Sequence, residues 1–197
     1  MMIFITAVEI FVCNLLADFW SGFVHWLEDS YGSPDWPIIG LYVTRPNILH
    51  HYDPTHFLKG TWFGRARVLA VIVAVLICLF AFTHTLNWQI LLIVGLGVNA
   101  NEFHRWSHSS ASQNGFILTA LQKIGIVQSP AHHAMHHKGT RDSHYCVITD
   151  YLNPILDGIK FWRGIERVLC SLGAQKRLDP TLLTSSSQVA VGLVMHR

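Results

Sequence analysis

The apolar stretches of this chain run into histidines. The first extends from Met2 to about Trp26 and closes on Gly22-Phe-Val-His25-Trp26-Leu-Glu-Asp29. Another, Trp88 to Phe103, leads directly into His104-Arg-Trp106-Ser-His108. A hydrocarbon span needs about 20 apolar residues, so the first stretch is long enough to cross a bilayer. Such a helix must be covered by lipid or by other helices, and the histidines at its end must gather at one level. His25/Asp29 and His104/His108 are i,i+4 pairs, so each pair shares one helical face.

The densest donor set is Ala131-His132-His133-Ala134-Met135-His136-His137. On a helix its four imidazoles fan over an arc of about 140°, enough to serve two metals. A fourth group is Arg45-Pro46-Asn47-Ile-Leu-His50-His51-Tyr52-Asp53-Pro54, an HH pair beside an aspartate between two prolines. The clusters outweigh their bland readings, as polar loops or helix-end decoration, because they recur in one chain.

Composition sets the solvent. Of 197 residues 51% are hydrophobic and only 13% charged, with a mean hydropathy of +0.34. That excludes an ordinary soluble domain and points to an integral membrane protein. A formal charge of +2 gives no reason to expect nucleic acid. Cys13, Cys78, Cys146 and Cys170 form no CxxC and are expected to be reduced and non-ligating. The first residues, Met1-Met2-Ile3-Phe4, carry no basic n-region, so a cleaved signal peptide is not expected.

The expected fold is an all-α integral membrane protein, a compact transmembrane bundle of about 3–4 membrane-embedded helices. One membrane-bound domain is expected over 1–178, with a Ser/Thr-rich tail over 179–197. Val68 to Phe82 makes a second apolar helix, joined through an uncharged turn at His84 to Asn87 to the helix from Trp88. Gly32 to Pro46 reads as a turn-rich segment. Gly115 to Val127 is too short to span and reads as interfacial or re-entrant. Tyr151 to Leu172 reads as an amphipathic surface helix. Arg45, Lys59, Arg65 and Arg67, then Arg105, Lys123, Lys138 and Arg141, lie in loops that the charge bias places in the cytoplasm. The amino terminus and the His84–Asn87 turn then face outward, and every histidine cluster falls on the cytoplasmic side.

Ten residues are candidate metal ligands or their immediate supports: His25, Asp29, His50, His51, His104, His108, His132, His133, His136 and His137. A zinc site uses three or four protein ligands, so ten fit two metals better. Imidazole suits iron, copper or zinc. Carboxylates are too few for the soluble di-iron bundle pattern, and HExxH is absent. A His-rich metal pair at the mouth of an apolar bundle points to oxygen activation against a lipid chain. Asp18 and Asp53 are candidate acceptors behind the ligands, Asp18 also a candidate for the substrate path. Arg45, Arg105 and Lys138 are candidates for a lipid phosphate. Three rival readings are a hydroxylase on the same centre, a haem-binding membrane cytochrome and a metal transporter. The cytochrome needs histidines at matched depth within spans, and the transporter needs metal-binding groups along them.

These residues resemble the lipid desaturase family, which includes animal and bacterial plasmanylethanolamine desaturases and a plant plastid desaturase of phosphatidylglycerol. The resemblance covers roughly Ala17 to Leu172. It is carried by Ala17-Asp18…Gly22-Phe-Val-His25-Trp26…Asp29, Arg45-Pro46…His50-His51-Tyr-Asp53-Pro54 and Asn101-Glu-Phe-His104-Arg-Trp106-Ser107-His108. His132-His133-Ala-Met-His136-His137 and Tyr145-Cys146-Val-Ile-Thr149…Leu152-Asn153-Pro154 complete it. The resemblance implies a cytosol-facing centre of two Fe ions, O2 as co-substrate, a membrane lipid substrate and a double bond introduced into a lipid chain. In the plasmalogen-forming members that bond makes a vinyl ether from an alkyl ether. No haem or flavin motif is present, so a separate electron donor of cytochrome b5 or ferredoxin type is expected. One segment departs from the family pattern: His56-Phe57-Leu58-Lys59-Gly60 lacks the asparagines that usually follow. His56 is therefore not counted as a ligand, and His84, His144 and His196 read as ordinary polar residues.

Overall fold

The computed structural model describes residues 1–178; the tail expected over 179–197, with His196, lies outside them. Among the described residues the chain is all-helical and has no strand. Helix α1 runs unbroken over Met2–Tyr31. It contains no proline, and it ends where the Gly32 N–H turns back to the carbonyls of Leu27 and Glu28. Helix α3 is Trp62–Phe82, capped by the Thr61 hydroxyl, which accepts from Gly64 N. Helix α4, Trp88–Val98, is capped by the Asn87 side chain. Helix α5 is Ala100–Ser107. The apolar stretch from Trp88 to Phe103 is thus broken at Asn99, whose side chain accepts from Trp62 Nε1 and donates to Gly95 O.

Two of these helices, α1 and α3, are long and apolar enough to cross a membrane, while α4 is a shorter apolar helix. Helix α3 buries only Ala66 and leaves Val71, Ile72, Val75, Leu79 and Phe82 exposed. The first half of α1 is equally bare. An apolar surface of that extent is one a bilayer covers, and membrane association follows from it.

The segment Gly32 to Pro46 is more ordered than its breakers imply. Gly40–Thr44 forms a π turn that passes without a break into α2, Arg45–Tyr52. Pro46 falls where the π turn hands over to α2, and its missing N–H leaves one bond of that continuous ladder unmade. A 3-10 turn over Pro54–Leu58 follows, capped by Asp53. Helix α6, Ala111–Lys123, begins earlier than the sequence suggests and carries Gly115 at φ +75 within it. Helix α7 is Pro130–His136. The stretch expected as one amphipathic helix from Tyr151 splits into α8, Leu152–Gly158, and α9, Phe161–Ser171, with Lys160 left-handed between them. It is more than a surface element, because Trp162 and Glu166 are buried.

Helix α1 packs along α4, α3 rests on α4 and α5, α5 meets α7, and α8 meets both α9 and α1. Two apolar clusters hold the helices. One joins Trp26, Tyr145, Cys146, Leu156 and Trp162; the other joins Ala17, Ala100, Val147 and Ile148. Both include residues of Tyr145–Thr149, an extended segment buried at every position. A buried extended segment must find partners for its backbone groups, and side chains supply them. Asp18 accepts from Ile148 N at 2.8 Å, Thr149 N at 3.2 Å and Thr149 Oγ1 at 2.6 Å. Asn153 Oδ1 accepts from Cys146 N, and Gln128 Nε2 donates to Cys146 O. Gly22 lets the segment lie against α1: a Cβ there would stand 2.5 Å from Cys146 Sγ and 2.9 Å from Cys146 N.

Candidate metal centre

Nine of the ten expected ligand residues fall into two adjacent groups, each with all its donor atoms within 4.8 Å of one another. The first holds His50, His104, His108, His133 and His137; the second holds His25, Asp29, His51 and His136. Each doublet splits. His50 faces the first group and His51 the second, and His137 and His136 divide the same way. Neighbouring positions on a helix point about 100° apart, so an HH pair serves two centres and not one. Three i,i+4 pairs stay together, His104 with His108, His133 with His137 and His25 with Asp29, while His132 and His136 part.

His132 stands outside both groups. The phase of α7 is set at its start, where Pro130 occupies the first turn and the Ser129 hydroxyl accepts from His132 N. That phase aims His133 and His136 inward as buried side chains. It turns His132 toward Asn153, whose Nδ2 lies 3.2 Å from His132 Nε2, and toward the ring of His144. His144 in turn contacts Asp157 at 3.1 Å. Asp18 and Asp53, expected behind the ligands, are used elsewhere. Asp18 holds the Ile148–Thr149 backbone, and Asp53 accepts from Thr55 N and Thr55 Oγ1. Arg45 donates to Pro34 O, and Arg105 pairs with Glu102, which also binds Arg65. Lys138 is exposed at the end of α7.

In the first group the rings meet through Nε2. His104 faces His133 at 2.8 Å, His133 faces His137 at 3.1 Å, and His50 faces both His137 and His108 at 3.2 Å. Ligands held about 2.0–2.1 Å from a common ion, at roughly 90–110° to one another, lie about 2.8–3.4 Å apart. The observed spacings match a set of nitrogens arranged around one centre. Burial and the neighbouring imidazoles hold His50, His104 and His133 well below the usual histidine range, pull His108 down to about 4 and also lower His137. Such rings are neutral near pH 7, the form that binds metal.

In the second group His51 and His136 meet at 3.2 Å between Nε2 atoms. Asp29 lies 3.6 Å from His25, 3.6 Å from His51 and 3.4 Å from His136. The tautomers of two rings follow from their other nitrogens. His25 Nδ1 lies 2.9 Å from Tyr145 O, and His136 Nδ1 lies 2.8 Å from Ser143 O. A carbonyl only accepts, so Nδ1 carries the hydrogen in both rings and Nε2 is the atom turned toward Asp29, with a free lone pair on His25. His25 Nε2 and Asp29 Oδ2 are buried and make no hydrogen bond. Acceptors gathered face to face in a dry site need a cation among them. Asn47, quoted above only as part of a motif, orients this carboxylate: its Nδ2 donates to Asp29 Oδ1 at 2.6 Å. The signal for it was its place three residues before His50 in the first turn of α2.

No solved structure matches the chain. The mouse protein named plasmanylethanolamine desaturase 1 is 31% identical over 174 residues, 82% of this chain and 64% of its own length. The Myxococcus xanthus plasmanylethanolamine desaturase is 30% identical over 167 residues, 79% of this chain and 57% of its own length. The Arabidopsis thaliana protein named fatty acid desaturase 4-like 2, chloroplastic, is 27% identical over 171 residues, 85% of this chain and 61% of its own length. The chain thus spans about three fifths of the length of these curated relatives. The family model described as the lipid desaturase domain matches residues 14–179, a stretch that holds every side chain of both groups; the chain belongs to the lipid desaturase family.

Proposed function

We propose that this chain is a di-iron, O2-dependent lipid desaturase that introduces a double bond into a membrane lipid chain, most specifically the vinyl ether of a plasmalogen from an alkyl ether. One observation carries the proposal. Two donor groups share α2 and the α7 run, one made of five imidazoles and the other of three imidazoles and a carboxylate. The relatives named plasmanylethanolamine desaturase support the ether-lipid substrate. The relative named fatty acid desaturase 4-like 2 supports the alternative of a phospholipid acyl chain. A bis-histidine haem site is disfavoured by the packing, because its axial nitrogens stand about 4 Å apart across the iron, whereas these Nε2 atoms approach to 2.8–3.2 Å.

In this proposal His50, His104, His108, His133 and His137 hold one ion and His25, Asp29, His51 and His136 the other. Bound there, the iron pair supplies the oxidising chemistry by which O2, two electrons and two protons convert a –CH2–CH2– unit to –CH=CH– with release of two waters. The chain's own residues prepare that chemistry. The carbonyls of Tyr145 and Ser143 fix the tautomers of His25 and His136. Asn47 holds Asp29 in place. Trp26, His50, His133 and His136 are almost wholly buried, which keeps bulk water from the donors. The electrons come from a separate carrier of cytochrome b5 or ferredoxin type.

In this proposal the arrangement is multi-pass with its site at the cytoplasmic face; the basic loops support the side and the length of α1 supports the depth. Helix α1 has 30 residues, about 45 Å of helix against a hydrocarbon core of about 30 Å. Its last turns, with His25 and Asp29, then project to headgroup level. The test is lipid analysis of cells expressing the wild-type chain or His104→Ala, with alkyl ether lipids supplied. An acid-labile vinyl ether that forms with wild type and is absent with the variant is the expected result. Desaturation of a phospholipid acyl chain in its place would move the substrate assignment. Purified wild type that holds no iron would end the di-iron proposal.

A further inference from the structure

We infer that the segment just before the end of the described residues is a strap that positions the carboxylate-bearing group, and that Arg177 and Lys176 are its positioning residues. The inference rests on the two-ion proposal above. Helix α1 has no basic residue in its last turn, although Asp29 sits there. The last carbonyls of a helix call for donors, and besides the Gly32 N–H they receive one from 148 residues away: Arg177 Nη2 donates to Glu28 O at 3.1 Å and to Asp29 O at 3.0 Å. The Arg177 backbone N–H donates to Ser30 O at 2.6 Å. These bonds close on the turn that carries the only carboxylate in either group.

Lys176 extends the strap to the other supports of the same group. Its Nζ donates to Asp142 Oδ1 at 2.6 Å and to Glu166 Oε1 at 2.9 Å. Asp142 immediately precedes Ser143, whose carbonyl sets the His136 tautomer. Glu166 also accepts from Trp26 Nε1 at 3.2 Å, next to His25 on α1. The strap therefore bonds the backbone that carries Asp29 and, through the side chains of Asp142 and Glu166, reaches the neighbours of His136 and His25. These Arg177 bonds and the Lys176 pair lie on this side. In the all-histidine group, by contrast, the Nδ1 atoms of His133 and His137 are buried and make no hydrogen bond. The strap acts on one ion and leaves the other.

The test uses the full chain in detergent, loaded with Co(II), passed over a chelating resin and assayed for ion-to-protein ratio and visible absorption. Wild type is expected to retain two ions per chain, Arg177→Gln one, with about half of the absorption lost. Arg177→Lys, which keeps a donor, is expected to recover part of the second ion, and Lys176→Gln to weaken it at least tenfold. Asn87→Ala removes the cap of α4 at the far turn and serves as a destabilised control that keeps two ions. If Arg177→Gln loses helix content, the Lys176→Gln and Arg177→Lys ratios decide the question. A wild-type ratio below two overturns the two-ion proposal and the strap with it. A ratio of two in both wild type and Arg177→Gln overturns the strap alone, as does loss of both ions together from a folded variant.

Discussion

At the scale of single residues, the centre is a problem in direction. The four imidazoles from His132 to His137 are chemically alike, yet one of them faces Asn153 and three face the two groups. His132→Ala is therefore expected to retain two ions per chain, whereas His133→Ala loses the ion of the five-histidine group. Elemental analysis of the two purified variants checks this, and loss of an ion from His132→Ala would reinstate it as a ligand. The depressed histidines also set a pH dependence for the metal-free protein. Unfolded imidazoles take protons near pH 6.5, while His108 in the fold does so only near 4 and its neighbours lie below their ordinary range. Protons thus bind the unfolded chain first, and stability is full above about pH 6.5 and falls toward pH 4. The thermal midpoint of metal-free protein in detergent is expected to drop between pH 7 and 5. A flat profile would show that these rings are not buried as described.

At the scale of elements, the extended segment Tyr145–Thr149 does what helices do elsewhere in the fold. It carries the carbonyl that orients His25, and Asp18 fixes its backbone with bonds to Ile148 and Thr149. Charged buried hydrogen bonds contribute about 1.5–3 kcal/mol each. Asp18→Ala is expected to cost about 3 kcal/mol and to weaken ion binding in the second group, read as a lower thermal midpoint and a reduced ion ratio. Gly22→Ala tests the same junction from the other side. Its methyl would meet Cys146 Sγ and backbone, and overpacking of this kind costs about 1–3 kcal/mol. A variant as stable as wild type would show that the segment can move away from α1 without loss.

At the scale of the molecule, the exposed apolar sides of α1 and α3 and the position of the centre at the ends of α1 and α5 make the proposed orientation testable. That proposal puts Lys138 in the cytoplasm and the turn containing Thr85 outside, as the charge bias of the loops suggests. In a background with Cys78 and Cys170 changed to Ser, Lys138→Cys is expected to react with an impermeant maleimide only after the cytoplasmic face is opened. Thr85→Cys is expected to react in intact cells. The reverse pattern would invert the molecule, and reaction of both in intact cells would place them on one side.

The sequence alone determined the helical class and named nine of the residues that meet in the two groups, because each depends on local properties. Apolar length reports membrane compatibility, and i,i+4 spacing reports a shared face, as His25/Asp29, His104/His108 and His133/His137 show. It also carried the family, since the motifs that resemble lipid desaturases are rows of adjacent residues. Tertiary structure decided how the doublets divide, which places His50 with His137 and His51 with His136 across 87 and 85 residues. It also placed His132 outside both groups, gave Asp18 to the backbone of a distant segment, and brought Arg177 to the end of α1. Those outcomes depend on helix phase and on packing between elements far apart in the chain, and no local pattern of residue types encodes either one.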